Sequence, residues 1–141
     1  MECIVIASGK GGTGKTTVTA GVGAALAARG LTCLAIDADV GVRSLDLTLG
    51  MYDTVLFDFT DVAERRTDLA RAVEEHPGRP GLFLLTAPLS PQGIAHDALR
   101  RVTDEAMHSG KYDFVLIDAP AGLGADFRRA AYAADRAVVV A

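Results

Sequence analysis

Residues 8–17 read Ser8-Gly9-Lys10-Gly11-Gly12-Thr13-Gly14-Lys15-Thr16-Thr17. Within them, Gly9-x-x-x-x-Gly14-Lys15-Thr16 has the spacing of a phosphate-binding loop, whose backbone N–H groups cradle nucleotide phosphates. Glycine is needed there because the backbone takes φ > 0 and approaches the ligand closely. Lys15 can reach the β and γ phosphates, and the Thr16 hydroxyl is placed to ligate Mg²⁺. A second lysine, Lys10, directly follows the first glycine.

The flanks support this reading. Residues 3–7, Cys-Ile-Val-Ile-Ala, form a short apolar run with β-branched members, as expected of a buried parallel strand entering the loop. After the loop, Val18, Val22, Ala25 and Leu26 recur at helical spacing, and Arg29-Gly30 supplies a basic last turn and a terminating glycine. Strand, glycine loop and helix therefore follow in the required order.

The same letters satisfy a rival. Gly9-x-Gly11-x-x-Gly14 fits the dinucleotide-binding fingerprint, and Asp37 falls roughly 20 residues on, where a ribose-binding acid would sit. Three features count against an NAD-binding domain: the Lys15-Thr16 pair, a second acid at Asp39, and a later apolar strand, residues 114–118, that ends in Asp118. A dehydrogenase loop uses neither a lysine aimed at a γ phosphate nor carboxylates grouped around a metal.

Bulk properties suit one soluble α/β domain. The chain has 141 residues, half of them apolar, enough for one core, with no internal repeat. Its net charge of −4 offers no general attraction to nucleic acid or anionic lipid. No apolar run approaches the ~20 residues of a spanning helix, and the start lacks a secretion signal, so a cytoplasmic location is expected. Cys3 and Cys33 lie in predicted strands without metal-ligand spacing and read as small buried hydrophobes. His76, His96 and His108 read as surface residues.

Strands are predicted at 3–7, 32–37, 82–86, 113–118 and 136–141. A helix opened by Ser90-Pro91 should carry the stripe Ala95, Ala98, Leu99, Val102 and Ala106 and end at Gly110. A shorter helix carries Phe127, Ala130, Ala131 and Ala134, residues 52–75 read as one or two interrupted helices, and 76–81 as a loop. This alternation predicts a doubly wound, mainly parallel sheet with helices on both faces. Ligands of such sheets bind at the carboxyl ends of the strands, where Gly9, Asp37 and Asp118 all fall. Asp118 can hold Mg²⁺ directly or through water, Asp37 occupies the equivalent end of the second strand, and Asp39, just outside it, can orient or deprotonate an attacking water.

At this point the residues match a family. Residues 10–17, with the early lysine, resemble the deviant phosphate loop of the MinD/ParA ATPases, a P-loop NTPase family. Residues 37–50, Asp-Ala-Asp-Val-Gly-Val-Arg-Ser-Leu-Asp-Leu-Thr-Leu-Gly, are similar to the first switch segment of its septum-site-determining members. Residues 114–122 are similar to the strand and second switch that carry the metal-binding acid. Ser44 and Val42 stand where those members carry asparagine and leucine.

The resemblance implies that residues 1–141 are the N-terminal part of one P-loop ATPase domain, its sheet truncated after the fifth strand, using ATP and Mg²⁺. Its implied cofactor-binding residues are Gly9, Lys10, Gly11, Gly12, Thr13, Gly14, Lys15, Thr16 and Thr17. The implied metal set is Thr16, Asp37 and Asp118, and the catalytic set is Lys10, Lys15 and Asp39, with Lys10 reaching across an ATP-dependent homodimer to the partner's phosphates. By the same resemblance the intact protein places the division site, works with a septation inhibitor and an ATPase-activating protein, and associates peripherally with the inner membrane through a C-terminal amphipathic helix beyond Ala141. Flagellar-number and partition relatives are alternatives within the family. A phosphate-loop module that holds nucleotide without turnover is an alternative outside it.

Overall fold

The computed structural model describes residues 1–8, 14–51, 57–122 and 124–140. In chain order these form β1 (Glu2–Ala7), α1 (Lys15–Ala28), β2 (Cys33–Asp37), α2 (Leu45–Thr48), α3 (Phe59–Ala63), α4 (Leu69–Ala72), β3 (Glu74–Glu75), β4 (Leu82–Leu85), α5 (Ala98–Ser109), β5 (Phe114–Asp118), α6 (Ala125–Ala133) and β6 (Arg136–Val139). The sheet order is β3-β4-β2-β5-β1-β6. All pairings are parallel except β3 with β4. The fold is the doubly wound, mainly parallel type that the alternating pattern predicts, with one short antiparallel strand added at the β4 edge.

Both faces of the central strands are covered, which is why Cys33–Asp37 and Phe114–Asp118 read as unbroken runs with little polar alternation. The pleat still sorts their side chains. Leu34, Ile36, Val115 and Ile117 face a core with α3, α4, α5 and α6, while Cys33, Ala35 and Leu116 face α1 and α2. By the same two-residue period, Asp37 and Asp118 belong to the α1 side.

The first helix turns a different face inward from the one its hydrophobicity suggests. Lys15, Thr19, Gly23 and Ala27 are its buried residues, whereas Val22 is 39% exposed. Small residues win because they let the helix sit low on the sheet. A methyl group at Gly23 would stand 3.0 Å from Leu82 Cδ1 and 3.8 Å from Cys33 Sγ.

Other boundaries also shift. The long helix begins at Ala98, not at Ser90-Pro91, although Ala98, Leu99, Val102 and Ala106 are buried as predicted and Gly110 caps its end. Upstream, Ala95 is exposed. Arg129 of α6, nearly buried, takes the carbonyl oxygens of Ala95 (3.1 Å) and Ile94 (3.5 Å) and pairs with Asp126 at 2.8 Å, so that stretch is held in turns. Within α6, Ala133 is buried and Ala131 exposed. The described part of 52–75 contains two short helices, α3 and α4, as the pattern predicts, and then the strand β3, which it does not predict. Asp58 opens α3 with a reciprocal capping box to Asp61. Both cysteines are buried and free, with burial pushing their thiols up to about 12. His96 and His108 are exposed, but His76 is half-buried and meets Leu49 O at 2.9 Å.

The inward faces of the two helices predict different sensitivities. Leu99→Ala, at a fully buried position, should destabilise by about 2–5 kcal/mol in urea unfolding. Val22→Ala should change stability by no more than about 0.5–1 kcal/mol, since its side chain leaves little apolar surface to lose. A Val22→Ala loss as large as that of Leu99→Ala would restore the face suggested by hydrophobicity.

Candidate functional site

Strand register brings the site together. Asp37 and Asp118 are direct partners across the parallel β2–β5 pair, at the carboxyl ends of both strands, and neither is exposed. Strand β1 lies on the other side of β5, with Ile6 opposite Asp118, so the segment leaving β1 emerges beside the same acid. Gly14 adopts φ 81°, ψ 14° at the start of α1, a left-handed conformation that a side chain would strain. Its carbonyl accepts from Val18 N at 2.9 Å, and Lys15 and Thr16 form the first turn.

Two buried carboxylates side by side require compensation. Asp118 receives it from hydroxyls: Thr16 Oγ1 donates to Oδ2 at 2.7 Å, and Thr19 Oγ1 lies 3.2 Å from Oδ1 and 2.9 Å from Lys15 O. Asp37 receives it from the backbone: Asp39 N donates to Oδ1 at 2.9 Å and Leu45 N to Oδ2 at 3.2 Å. The Asp37 carboxylate thereby pins both ends of the 39–45 segment. Burial pushes its pKa up to about 7, against the two backbone donors and with a smaller contribution from the charges of Asp118 and Asp39. Burial also raises Asp118, opposed by the Thr16 hydroxyl and the Lys15 charge. Half-buried Asp39 is raised by burial and lowered by Lys15.

The 39–45 segment is held tightly. Arg43 sits at φ 52°, and its Nε is buried without a hydrogen-bond partner, although its Nη2 lies 3.6 Å from Asp46. Gly41 N donates to Pro88 O at 3.2 Å. Ser44 precedes α2 but does not cap it; its Oγ lies 3.3 Å from Thr16 Oγ1 instead.

Of the predicted residues, the structure brings together Gly14, Lys15, Thr16, Asp37, Asp39 and Asp118, with Thr17 exposed in the first turn of α1. Gly9, Lys10, Gly11, Gly12 and Thr13 lie outside the described residues. Sequence reasoning missed Thr19 and Ser44. Thr19 could have been found, because it sits three residues after Thr16 on the same helical face. A separate groove of about 750 Å³ lies between α3, α4 and α5, away from these acids. Its Arg66, Arg71 and Arg101 are already paired with Asp61, Asp68 and Asp97.

A strand leading to a glycine-capped helix, with a lysine, a hydroxyl and strand-end acids converging at the carboxyl edge, defines a P-loop nucleotide-binding fold. The chain belongs to the family of the CobQ/CobB/MinD/ParA nucleotide binding domain, whose model matches residues 4–122. Within it, the chain is similar to MinD. It is 39% identical over 137 residues to the septum site-determining protein MinD of Synechocystis sp., covering 97% of this chain and 52% of that protein. Among solved structures, it matches the MinC:MinD cell division protein complex of Aquifex aeolicus with a TM-score of 0.89 at 40% identity, covering 99% of this chain and 55% of that one. MinD from Pyrococcus horikoshii, complexed with Mg-ADP, matches with a TM-score of 0.86 at 35% identity, covering 99% and 57%. The chain spans about half the length of the curated relatives it matches.

The buried acids give the site a pH signature. The unfolded Asp37 carboxyl ionises near 3.8 and the folded one near 7, so the folded state holds the extra proton in between and this group's stabilising contribution is lost as pH rises through that window. Asp37→Asn, which keeps an oxygen for one backbone donor, should therefore gain stability relative to the wild type between about pH 4 and pH 7. Urea midpoints of the two proteins across that range test it; a constant difference would mean that Asp37 titrates normally.

Proposed function

We propose that this chain is the phosphate-handling N-terminal portion of a MinD-like ATPase that binds and hydrolyses ATP with Mg²⁺. The observation that carries the reading is the 2.7 Å hydrogen bond from Thr16 Oγ1 to Asp118, with Asp37 in register beside it and Lys15 close enough to lower both Asp118 and Asp39. The donor set fits Mg²⁺. It consists of hard oxygens, and among the described residues no three His, Cys, Asp or Glu side chains form an all-protein cage. Mg²⁺ commonly uses one or two carboxylates and completes its shell with water and substrate phosphates. Thr16 and Asp118 would hold the ion, with Asp37 acting through a water. Bound there, Mg²⁺ would offset charge on the β and γ phosphate oxygens.

In this reading Lys15 binds the phosphates, and the backbone of residues 9–14 cradles them. Thr17 flanks the cradle, and Asp39 orients the attacking water and accepts its proton, a role that its raised pKa favours. Similarity to MinD further supports an ATP-dependent homodimer in which Lys10 reaches the partner's phosphates. It also supports a septation-inhibitor partner of the MinC type, an ATPase-activating protein, and cytoplasmic residence with peripheral membrane association of the intact protein. No helix of the described residues is long and apolar enough to cross a membrane.

Calorimetry on the intact protein should show binding of ATP and ADP with Mg²⁺ and none of NAD. Asp39→Ala should keep ATP binding while losing about 10²–10⁴-fold in turnover, whereas Lys15→Ala should weaken binding itself. Binding of NAD alone, or undiminished turnover in Asp39→Ala, would refute the corresponding assignment.

The role of Lys10 is separable from these. Sedimentation with ATP and Mg²⁺ should find that Lys10→Ala stays monomeric while its affinity for ATP remains within a few fold of the wild type. Normal dimerisation of that variant would remove the cross-subunit role.

A further inference from the structure

The Ser44 hydroxyl has no role in the site as derived so far, yet it leaves its own helix uncapped to reach Thr16. A serine before a helix ordinarily accepts a hydrogen bond from the backbone one turn on. Here the third helical amide, Leu47 N, donates to Asp46 Oδ1 at 2.8 Å instead, and Ser44 Oγ stands 3.3 Å from Thr16 Oγ1. The direction of that contact follows from proton count. Thr16 has one hydroxyl proton, committed to Asp118 at 2.7 Å, so Ser44 donates and a Thr16 lone pair accepts.

That lone pair belongs to the oxygen assigned above to a divalent cation. A hydroxyl oxygen loaded with a dication is a poor acceptor, and a donor proton aimed at it is repelled by the ion. The segment bearing Ser44 also shows independent signs of being held against its own preference. Arg43 occupies a left-handed conformation uncommon for a long side chain, and its buried Nε lacks a partner.

We propose that Ser44 is a latch that ties the 39–49 segment to Thr16 only while the Thr16 oxygen carries no cation. Cation binding ejects the Ser44 hydroxyl and loosens the α2 end of the segment, which is then held at the site only by the bonds that the amides of Asp39 and Leu45 donate to Asp37. Ser44 is thus a positioning residue, and it couples occupancy of the metal position to the surface that carries Val42 and Leu47, both more than 60% exposed. The proposal rests on the Mg²⁺-nucleotide reading of this site.

Linkage sets the sign of the test. A bond present only in the cation-free state opposes cation binding, so removing it tightens binding by roughly the net worth of one hydrogen bond, about 2- to 10-fold. Mg²⁺ is titrated calorimetrically into the ADP-loaded intact protein as wild type, Ser44→Ala and Ser44→Thr. Amide hydrogen exchange of residues 42–49 is followed with and without Mg²⁺. Expected are tighter Mg²⁺ binding by Ser44→Ala, wild-type affinity for Ser44→Thr, and faster exchange in cation-free Ser44→Ala that matches the wild type once Mg²⁺ saturates. Unchanged or weakened Mg²⁺ affinity in Ser44→Ala overturns the latch, as does tighter binding with no change in exchange. Failure of the wild type to bind Mg²⁺ with ADP overturns the underlying reading, and the latch with it.

Discussion

Two carboxylates from adjacent parallel strands, Asp37 and Asp118, are buried in direct register, and much of the surrounding architecture answers the penalty of placing them there. A strand end that pointed them into an apolar core would force protonation or unfolding. Instead the pleat aims both at the α1 side, where the first turns of that helix bring two threonine hydroxyls to Asp118. Asp37 is met by backbone amides, so the loop after β2 must fold back on its own strand. The tight 39–45 segment and the position of α2 follow from that need. The pair of acids therefore shapes the polypeptide around it.

How much of this could be read from residues alone varied with the source of the signal. The central strands were legible because burial on both faces demands unbroken apolar runs, and Phe114–Asp118 and Cys33–Asp37 supply them. That Lys15, Thr16 and the strand-end acids would meet at one edge was legible because the motif fixes where α1 begins and parallel strands bring their carboxyl ends together. The inward face of α1 was not, since Thr19, Gly23 and Ala27 pack through smallness while Val22 displays its methyls to solvent. Nor was β3, a pair of glutamates whose strand character comes wholly from pairing with β4. The capture of Ile94 and Ala95 carbonyls by Arg129 moved the start of α5, a contact 34 and 35 residues long in sequence that no local pattern announces. The site contacts of Ser44 and Thr19 were not legible for a related reason: a hydroxyl is defined by what stands opposite it.

Lys15, only 8% exposed, is joined to the hydroxyl network through its backbone. Its backbone carbonyl accepts from Thr19 while Thr19 also faces Asp118, so helix and acid share one small polar seam. On the same face of the sheet, Ala35 and Leu116 are fully buried two residues before the acids, and a dry surrounding strengthens polar interactions.

Gly23 gives that seam a mechanical dimension. The absent side chain lets α1 rest on Leu82 and Cys33, and α1 is a stiff rod whose other end carries Thr16, roughly 10 Å away along the axis. Rigid rods transmit tilt, so a lift of a few tenths of an ångström at the glycine would reappear at the rod's tip, where a 2.7 Å bond to Asp118 has little slack. The glycine thus acts as a fulcrum, and the alignment of the polar chemistry is gauged by an apolar contact two helical turns removed from it.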